Sequence, residues 1–174
     1  MSAQIWFIFL FVIFLALFWL FYTRAIGSEY GPTTAKRARR MIEFAKISKE
    51  DIVYDLGSGF GGLVIMASKN ARKAIGIEFD SLRYAISIAR AFFHGAKNVK
   101  FIRGNLFKED ISDANVILLF LKQKTNQKLK PRLLRLRKGT RIVSNLWTFE
   151  GWKPARQDKK LKVYMYVVGK SDKK

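Results

Sequence analysis

The amino-acid sequence predicts an α/β fold, a mostly parallel sheet covered on both faces by helices and preceded by one transmembrane helix. Three observations carry that expectation. From residue 51 onward, short and almost unbroken apolar runs alternate with amphipathic stretches, the pattern of parallel strands buried on both sides and joined by helical crossovers. One of those runs leads straight into a glycine-punctuated turn, Asp55-Leu-Gly-Ser-Gly-Phe-Gly-Gly62, where open parallel sheets place a ligand. Residues 5–22 are eighteen consecutive apolar or aromatic residues without a charge.

The amino-terminal run comes first in chain order. At 1.5 Å rise per residue it spans about 27 Å, close to the hydrocarbon thickness of a bilayer. Trp6, Trp19 and Tyr22 stand near its ends, as in the aromatic belts of membrane interfaces. A cleaved signal peptide needs a basic leader and a small-residue cleavage site. No basic side chain precedes this run, and Phe21-Tyr-Thr-Arg24 is a poor site. A core helix of this length is seldom apolar on every face. Residues 1–24 are therefore expected to be a retained anchor. All 33 Lys and Arg lie at or after Arg24, and Arg24, Lys36, Arg37, Arg39 and Arg40 follow the run closely. The positive-inside tendency then gives a single-pass membrane protein with its main domain on the cytoplasmic side.

Residues 25–50 read as a connector holding Gly27, Ser28, Gly31 and Pro32, followed by a basic helix with Ala38, Met41, Ile42 and Ala45 on one face. Residues 51–174 are the α/β domain. Strands are expected at 52–56, 74–77, 99–102, 116–121 and 141–144, helices at 62–70, 82–93 and 126–136, and a late antiparallel strand at 163–168.

Composition narrows the chemistry. The 174 residues hold 33 basic against 13 acidic side chains, a formal charge of +20. With 49% apolar residues the chain is no disordered polycation. Cysteine is absent and His94 is the one histidine, so disulfides, thiolate sites and multi-histidine metal sites are excluded and no metal is expected. His94, where a helix should end, reads as a cation in the last helical turn. Residues 128–141 carry seven basic side chains and no acid, and 153–174 carry eight against two. Such runs suit a solvated face, an anionic lipid surface or nucleic acid.

Gly57, Gly59 and Gly61 let the backbone turn sharply and approach a ligand without a Cβ, and the helix that follows offers free N–H groups. Glu78 ends the second strand, placed to accept two hydrogen bonds from a ribose. Gly57, Gly59 and Gly62 also satisfy the dinucleotide fingerprint, which alone is weak. Asp55, two residues before the first glycine, separates the alternatives. A carboxylate there suits the methionyl ammonium of S-adenosylmethionine and repels a pyrophosphate. The expected cofactor is S-adenosylmethionine, with S-adenosylhomocysteine as product.

A narrower resemblance rests on Tyr30-Gly-Pro-Thr33, Asp55-Leu-Gly-Ser-Gly59, Asn98-Val-Lys-Phe-Ile-Arg-Gly-Asn-Leu-Phe107, Phe120-Leu121, Gly139-Thr-Arg-Ile-Val-Ser144 and Gly151-Trp-Lys-Pro154. Over about residues 29–155 the chain resembles the class I methyltransferases. Within them it resembles the archaeal and mitochondrial protein-lysine methyltransferases that modify the ATP synthase c-subunit and the adenine nucleotide translocator. That resemblance implies a Rossmann-like, seven-strand, mostly parallel sheet, and mitochondrial members also carry an amino-terminal apolar segment. It implies that Asp55, Gly57 and Gly59 hold the methionyl end of the cofactor, that Glu78 holds the ribose, and that Ser58 and Gly61 belong to the same cofactor-binding set. Phe79 would lie against the adenine. Asn105, beside Leu106, stands where many members have an aspartate, and its amide oxygen can still accept from the adenine amino group. Phe60 stands where relatives often have a polar residue.

Methyl transfer is an in-line displacement that asks the protein for alignment and exclusion of water, so a chain without cysteine and with one histidine can catalyse it. A lysine acceptor must arrive as the free amine, although its ordinary pKa is about 10.4, and a dry aromatic rim favours that form. Tyr30, Phe120 and Trp147 are the candidates for lining the lysine channel; ordinary packing explains them equally well. The expected partner is a membrane-associated protein substrate. A lipid or quinone head-group methyltransferase, an RNA methyltransferase and a binding module without turnover are the alternatives. The fourth strand runs into Phe120-Leu-Lys-Gln123 and lacks the Asn/Asp-Pro-Pro-aromatic run of base-amine methyltransferases.

Overall fold

The computed structural model describes residues 3–25 and 33–171; within 3–25, side chains are described at 4–15, 17 and 18. The chain divides into two units, Met1–Gly31 and Pro32–Lys174. Most of the expected connector, Tyr30 with it, lies outside the described residues.

In the first unit α1 runs over Ala3–Ala25, about 35 Å at 1.5 Å per residue. Its described side chains face solvent on every side, with Trp6 packed edge-on to Phe9 and Phe14 stacked on Phe18. Among the described residues no helix is long and apolar enough to cross a membrane, so the expected transmembrane helix is not supported here. The gap in α1's described side chains interrupts residues 5–22.

The second unit holds α2 (Ala35–Ala45), β1 (Ile52–Leu56), α3 (Gly62–Ser68), β2 (Lys73–Glu78), α4 (Ser81–Phe93), β3 (Val99–Arg103), β4 (Val116–Leu119), α5 (Gln123–Leu133), β5 (Arg141–Asn145), β6 (Arg156–Asp158) and β7 (Val163–Val167). The seven strands form one sheet in the order β3-β2-β1-β4-β5-β7-β6. The first five are parallel, and β7 is antiparallel to both β5 and β6. Side chains alternate between two cores. Tyr54, Leu56, Ile117, Leu119, Ile142 and Tyr166 pack with Leu129 and Leu133 of α5, while Val53, Leu118, Val143 and Met165 pack with Met41 and Phe44 of α2 and Leu63 of α3. Strand order reverses between β1 and β4, which opens a crevice beyond their carboxyl ends.

Several boundaries differ from expectation. β4 stops at Leu119, so Phe120 and Leu121 belong to the loop that follows it. α5 begins at Gln123, after an extended Lys122, and ends at Leu133. Beyond it Arg135 and Leu136 bond back three residues, to Arg132 and Leu133, which tightens the chain out of the α-helix. The Arg-Gln-Asp of β6 has no apolar alternation to announce it and exists as an edge partner of β7. On α2 the buried face is Ala38, Met41, Phe44 and Ala45, with Phe44 taking the place expected for Ile42.

Of Gly151-Trp-Lys-Pro154, Trp152 is buried in the core. Trp152, Phe149 and Tyr166 make an aromatic trio with centroids 4.8–5.8 Å apart, and the Tyr166 hydroxyl accepts from the Phe149 N–H.

Gly61 closes the glycine turn at φ +75°, and a Cβ there would sit 2.7 Å from the Phe101 ring. Gly61→Ala is expected to cost about 2–4 kcal/mol from the strained backbone and the overlap together, read as a lowered thermal midpoint. Gly59→Ala, at φ +54° with nothing within 4 Å, should cost only about 1–2 kcal/mol.

Candidate functional site

The turn between β1 and α3 hangs on the end of β2. The N–H groups of Gly57 and Ser58 both donate to the Ile77 carbonyl, at 2.9 and 3.0 Å, and Gly61 N–H donates back to Ser58. Gly59 N–H donates to Glu78 Oε2 at 2.8 Å, while Asp80 N–H donates to Oε1 at 2.9 Å. One backbone donor holds each oxygen of Glu78, so the carboxylate is fixed in position before any ligand arrives. Phe60 has a part in the same scaffold, its carbonyl accepting from Arg90 of α4 at 2.8 Å.

The glycines differ in purpose. A Cβ at Gly57 would press on Leu121, 2.9 Å away, and one at Gly61 on Phe101. Those two serve packing and the turn. At Gly59 the corresponding direction is empty, so this is the glycine whose missing side chain leaves room beside Glu78.

Asp55, one residue before the end of β1, is 4% exposed, and Glu78 is 7% exposed. Among the described residues no hydrogen bond or ion pair reaches the Asp55 carboxylate, and no Lys or Arg pairs with Glu78. The ion pairs found are Arg40 with Glu43 and Asp158, and Arg141 with Asp51. Burial, reinforced by the charge of Glu78, pushes the Asp55 carboxyl up to about 7. The acidic pair is thus short of positive charge inside a chain with a large basic excess.

The remaining candidates surround this pair. Phe79 follows Glu78 and is 66% exposed, its ring free to cover a planar ligand. Asn105 stands after β3, its side-chain oxygen accepting from Phe107 N–H at 2.9 Å. Leu106 is half-buried and its carbonyl accepts from Arg132. Ser58 is buried, with a hydroxyl that finds no hydrogen-bond partner among the described residues. Phe120 is half-buried in the loop after β4, and Trp147 is half-buried after β5. The register Asp55–Leu118 and Leu118–Val143 puts the ends of β1, β4 and β5 side by side, so Asp55, Phe120 and Trp147 share the carboxyl rim of the sheet. Tyr30 lies outside the described residues.

Sequence reasoning missed the polar support beneath Trp147. Asn126 of α5 donates to Ser144 Oγ at 3.1 Å, and Ser144 Oγ donates to the Trp147 carbonyl at 2.6 Å. Both side chains are fully buried. Leu146, between them and Trp147, has φ +68°, an uncommon backbone for a branched residue that turns the chain across the rim. A lone Asn on a basic helix gave no signal of this pairing. Among the described residues no group of three metal-ligating side chains occurs.

Comparison with known proteins places these features in a family. Residues 55–156 match the ANTKMT methyltransferase domain. The chain is 41% identical over 150 residues to a protein-lysine N-methyltransferase of Saccharolobus islandicus, covering 80% of this chain and 93% of that protein. It is 27% identical over 128 residues to the Caenorhabditis elegans lysine N-methyltransferase of the ATP synthase c-subunit, covering 70% of this chain and 67% of that protein. Among solved structures, an RNA methyltransferase from Salinibacter ruber in complex with S-adenosyl-L-homocysteine superposes with a TM-score of 0.76 at 37% identity, covering 79% of this chain and 94% of that one.

The buried Asp55 charge carries a stability consequence. Its carboxyl is raised to about 7 in the fold from 3.8, so the folded protein holds a proton that the unfolded chain has lost across that interval, and stability falls as pH climbs through it. Asp55→Asn removes this penalty while leaving an unpartnered amide. Above pH 7 the variant is expected to be more stable by about 2 kcal/mol, and the advantage should vanish near the acid end of the interval. Thermal unfolding across that pH range measures it.

Proposed function

The chain belongs to the ANTKMT methyltransferase family of class I methyltransferases, and from that membership we propose that it transfers a methyl group from S-adenosylmethionine to a lysine side chain of a protein. The observation that carries this reading is the buried acidic pair Asp55 and Glu78, with no Lys or Arg paired to either among the described residues, beside the space that Gly59 leaves open. A ligand bearing an ammonium group beside a ribose supplies what both carboxylates lack. The protein-lysine relative at 41% identity supports the acceptor.

When bound, S-adenosylmethionine supplies a methyl group activated by positive sulfur. The chain's own residues do the rest. Asp55, ionised, takes the ammonium; Glu78, held by two backbone N–H groups, accepts from the ribose hydroxyls; Phe79 covers the adenine, and Asn105 with Leu106 lines its far edge. Gly57, Ser58 and Gly61 shape the turn. Phe120 and Trp147 are assigned to the acceptor channel, where aromatic walls exclude water and favour the neutral amine over the ammonium form. The nucleophile needs alignment and no strong general base, because desolvation lowers the cost of presenting the free amine.

Residues 1–24 are assigned as a membrane anchor, with the catalytic unit, residues 51–174, on the cytoplasmic side and a membrane-associated protein as substrate. α1, Ala3–Ala25, is apolar on every described face, which no soluble helix sustains without a covering partner. A second reading, RNA as acceptor, is favoured by the Salinibacter relative and by the net charge of +20.

Incubating the purified chain with tritiated S-adenosylmethionine and a membrane-protein extract separates these. Label recovered as methyl-lysine and resistant to nuclease is the expected result; label lost to nuclease assigns RNA, and label extracted into organic solvent assigns a lipid. Two binding measurements test the site itself. Because Asp55 must be ionised to hold the ammonium, S-adenosylhomocysteine affinity is expected to fall about tenfold from pH 8 to pH 6, following a group that titrates near 7. Glu78→Ala should weaken calorimetric binding about a hundredfold, the worth of two charge-assisted hydrogen bonds. Unchanged affinity would remove Glu78 from the site.

A further inference from the structure

A surface helix of a soluble domain turns its apolar stripe to the core and its polar face to water. α4, Ser81–Phe93, does the reverse over much of its length. Its buried positions are Arg83, Ser87 and Ala91. Leu82, Ile88, Phe92 and Phe93, at helical spacing on the outer side together with Ala85 and Ala89, are exposed. Phe92 and Phe93 are 81% and 82% exposed and pack on each other, edge to face with centroids 5.7 Å apart. Isolated exposed apolar residues need no explanation, but a contiguous stripe does.

The charges around the stripe select its occupant. From Ser81 to Lys108 the chain has six Lys or Arg and no Asp or Glu. Arg90, His94 and Lys97 flank the Phe92–Phe93 end in the chain, and Lys69 borders the same hollow as His94 and Lys97. An apolar stripe bordered by bases is the make-up of an element that lies in the plane of an anionic membrane. A second copy of the chain would bring two acid-free basic borders against each other. A nucleic-acid strand could stack on the two phenylalanines but would gain nothing from Leu82, Ala85, Ile88 and Ala89.

We propose that the outward stripe of α4, tipped by Phe92 and Phe93, docks into the interface of an anionic lipid bilayer. This goes beyond attachment of the chain through residues 1–24 and concerns how the catalytic unit is held at the lipid surface. Arg90 links this docking to the cofactor turn. Its guanidinium bonds the Phe60 carbonyl inside that turn, so an α4 fixed at the membrane also steadies the glycine loop.

Hydrogen exchange on the full chain tests the docking, with phosphatidylcholine vesicles compared with vesicles containing phosphatidylglycerol. Amides of 82–95 are expected to exchange about tenfold more slowly with the anionic vesicles, and the Phe92→Asp, Phe93→Asp double variant should lose that protection while keeping its affinity for S-adenosylhomocysteine. Because the chain has no cysteine, Ala89→Cys gives one spin-labelling position as a second measurement. A label there should become oxygen-accessible and shielded from a water-soluble nickel complex on the anionic surface. A chain that binds both vesicle types equally, with α4 unprotected in each, overturns the inference and leaves the anchor standing; a chain that binds neither overturns both. A label-to-label distance between two chains assigns the stripe to self-association, and protection that appears with RNA and not with lipid assigns it to nucleic acid; either overturns the inference.

Discussion

Burying a carboxylate is costly unless a partner neutralises it, and this fold buries two, Asp55 and Glu78, near the carboxyl ends of the paired strands β1 and β2. Glu78 is fixed by the N–H groups of Gly59 and Asp80. Asp55 has no such help and retains its proton to about 7 instead. The rest of the site follows from that asymmetry. Under the proposed function, a ligand that brings a cation to Asp55 relieves that residue's burial cost, so part of its binding free energy offsets one that folding has already met. On that reading stability and function are opposed at Asp55.

The sheet makes this arrangement possible. β1 and β2 are neighbours in register, Asp55 opposite Gly76, and Gly76 has no side chain because Ser58 and Phe101 fill the space. The glycine turn can therefore lie directly over the end of β2 and borrow Ile77 as its acceptor. On the other side of the switch point, β4 stops at Leu119, one pair earlier than its apolar run suggests. Phe120 is thereby freed from the ladder to stand at the rim. The same trade appears after β5, where the left-handed Leu146 and the buried Asn126–Ser144 pair place Trp147.

Much of this was legible in the sequence, for physical reasons that differ by element. The parallel strands announce themselves because burial on both faces requires unbroken apolar runs, and Ile52–Leu56 matches its expected bounds. The glycine turn is legible because three of its φ angles are positive, a demand that only glycine meets cheaply. β6 was invisible, since an edge strand of Arg, Gln and Asp obeys its partner and not its own pattern. The Asn126–Ser144 contact was invisible too, because it joins residues eighteen apart that become neighbours only once α5 is laid on the sheet. Gly151-Trp-Lys-Pro154 was readable as a family mark, and the structure shows its basis in packing, with Trp152 buried against Phe149 and Tyr166.

The distribution of charge bears on the choice of acceptor. The chain is strongly basic while Asp55 and Glu78 have no Lys or Arg partner among the described residues, so the sign of the local field changes between the outside and the ends of β1 and β2. A polyanion is drawn to the exterior, whereas Asp55 and Glu78, before a ligand neutralises them, repel one. An amine is treated in the opposite way. The exterior does not concentrate it, and a protein bearing it has to be held near by other means. For an acceptor that is basic in solution, attraction to the exterior does not supply the encounter, and the bilayer docking proposed for α4 is one way in which a shared surface would supply it.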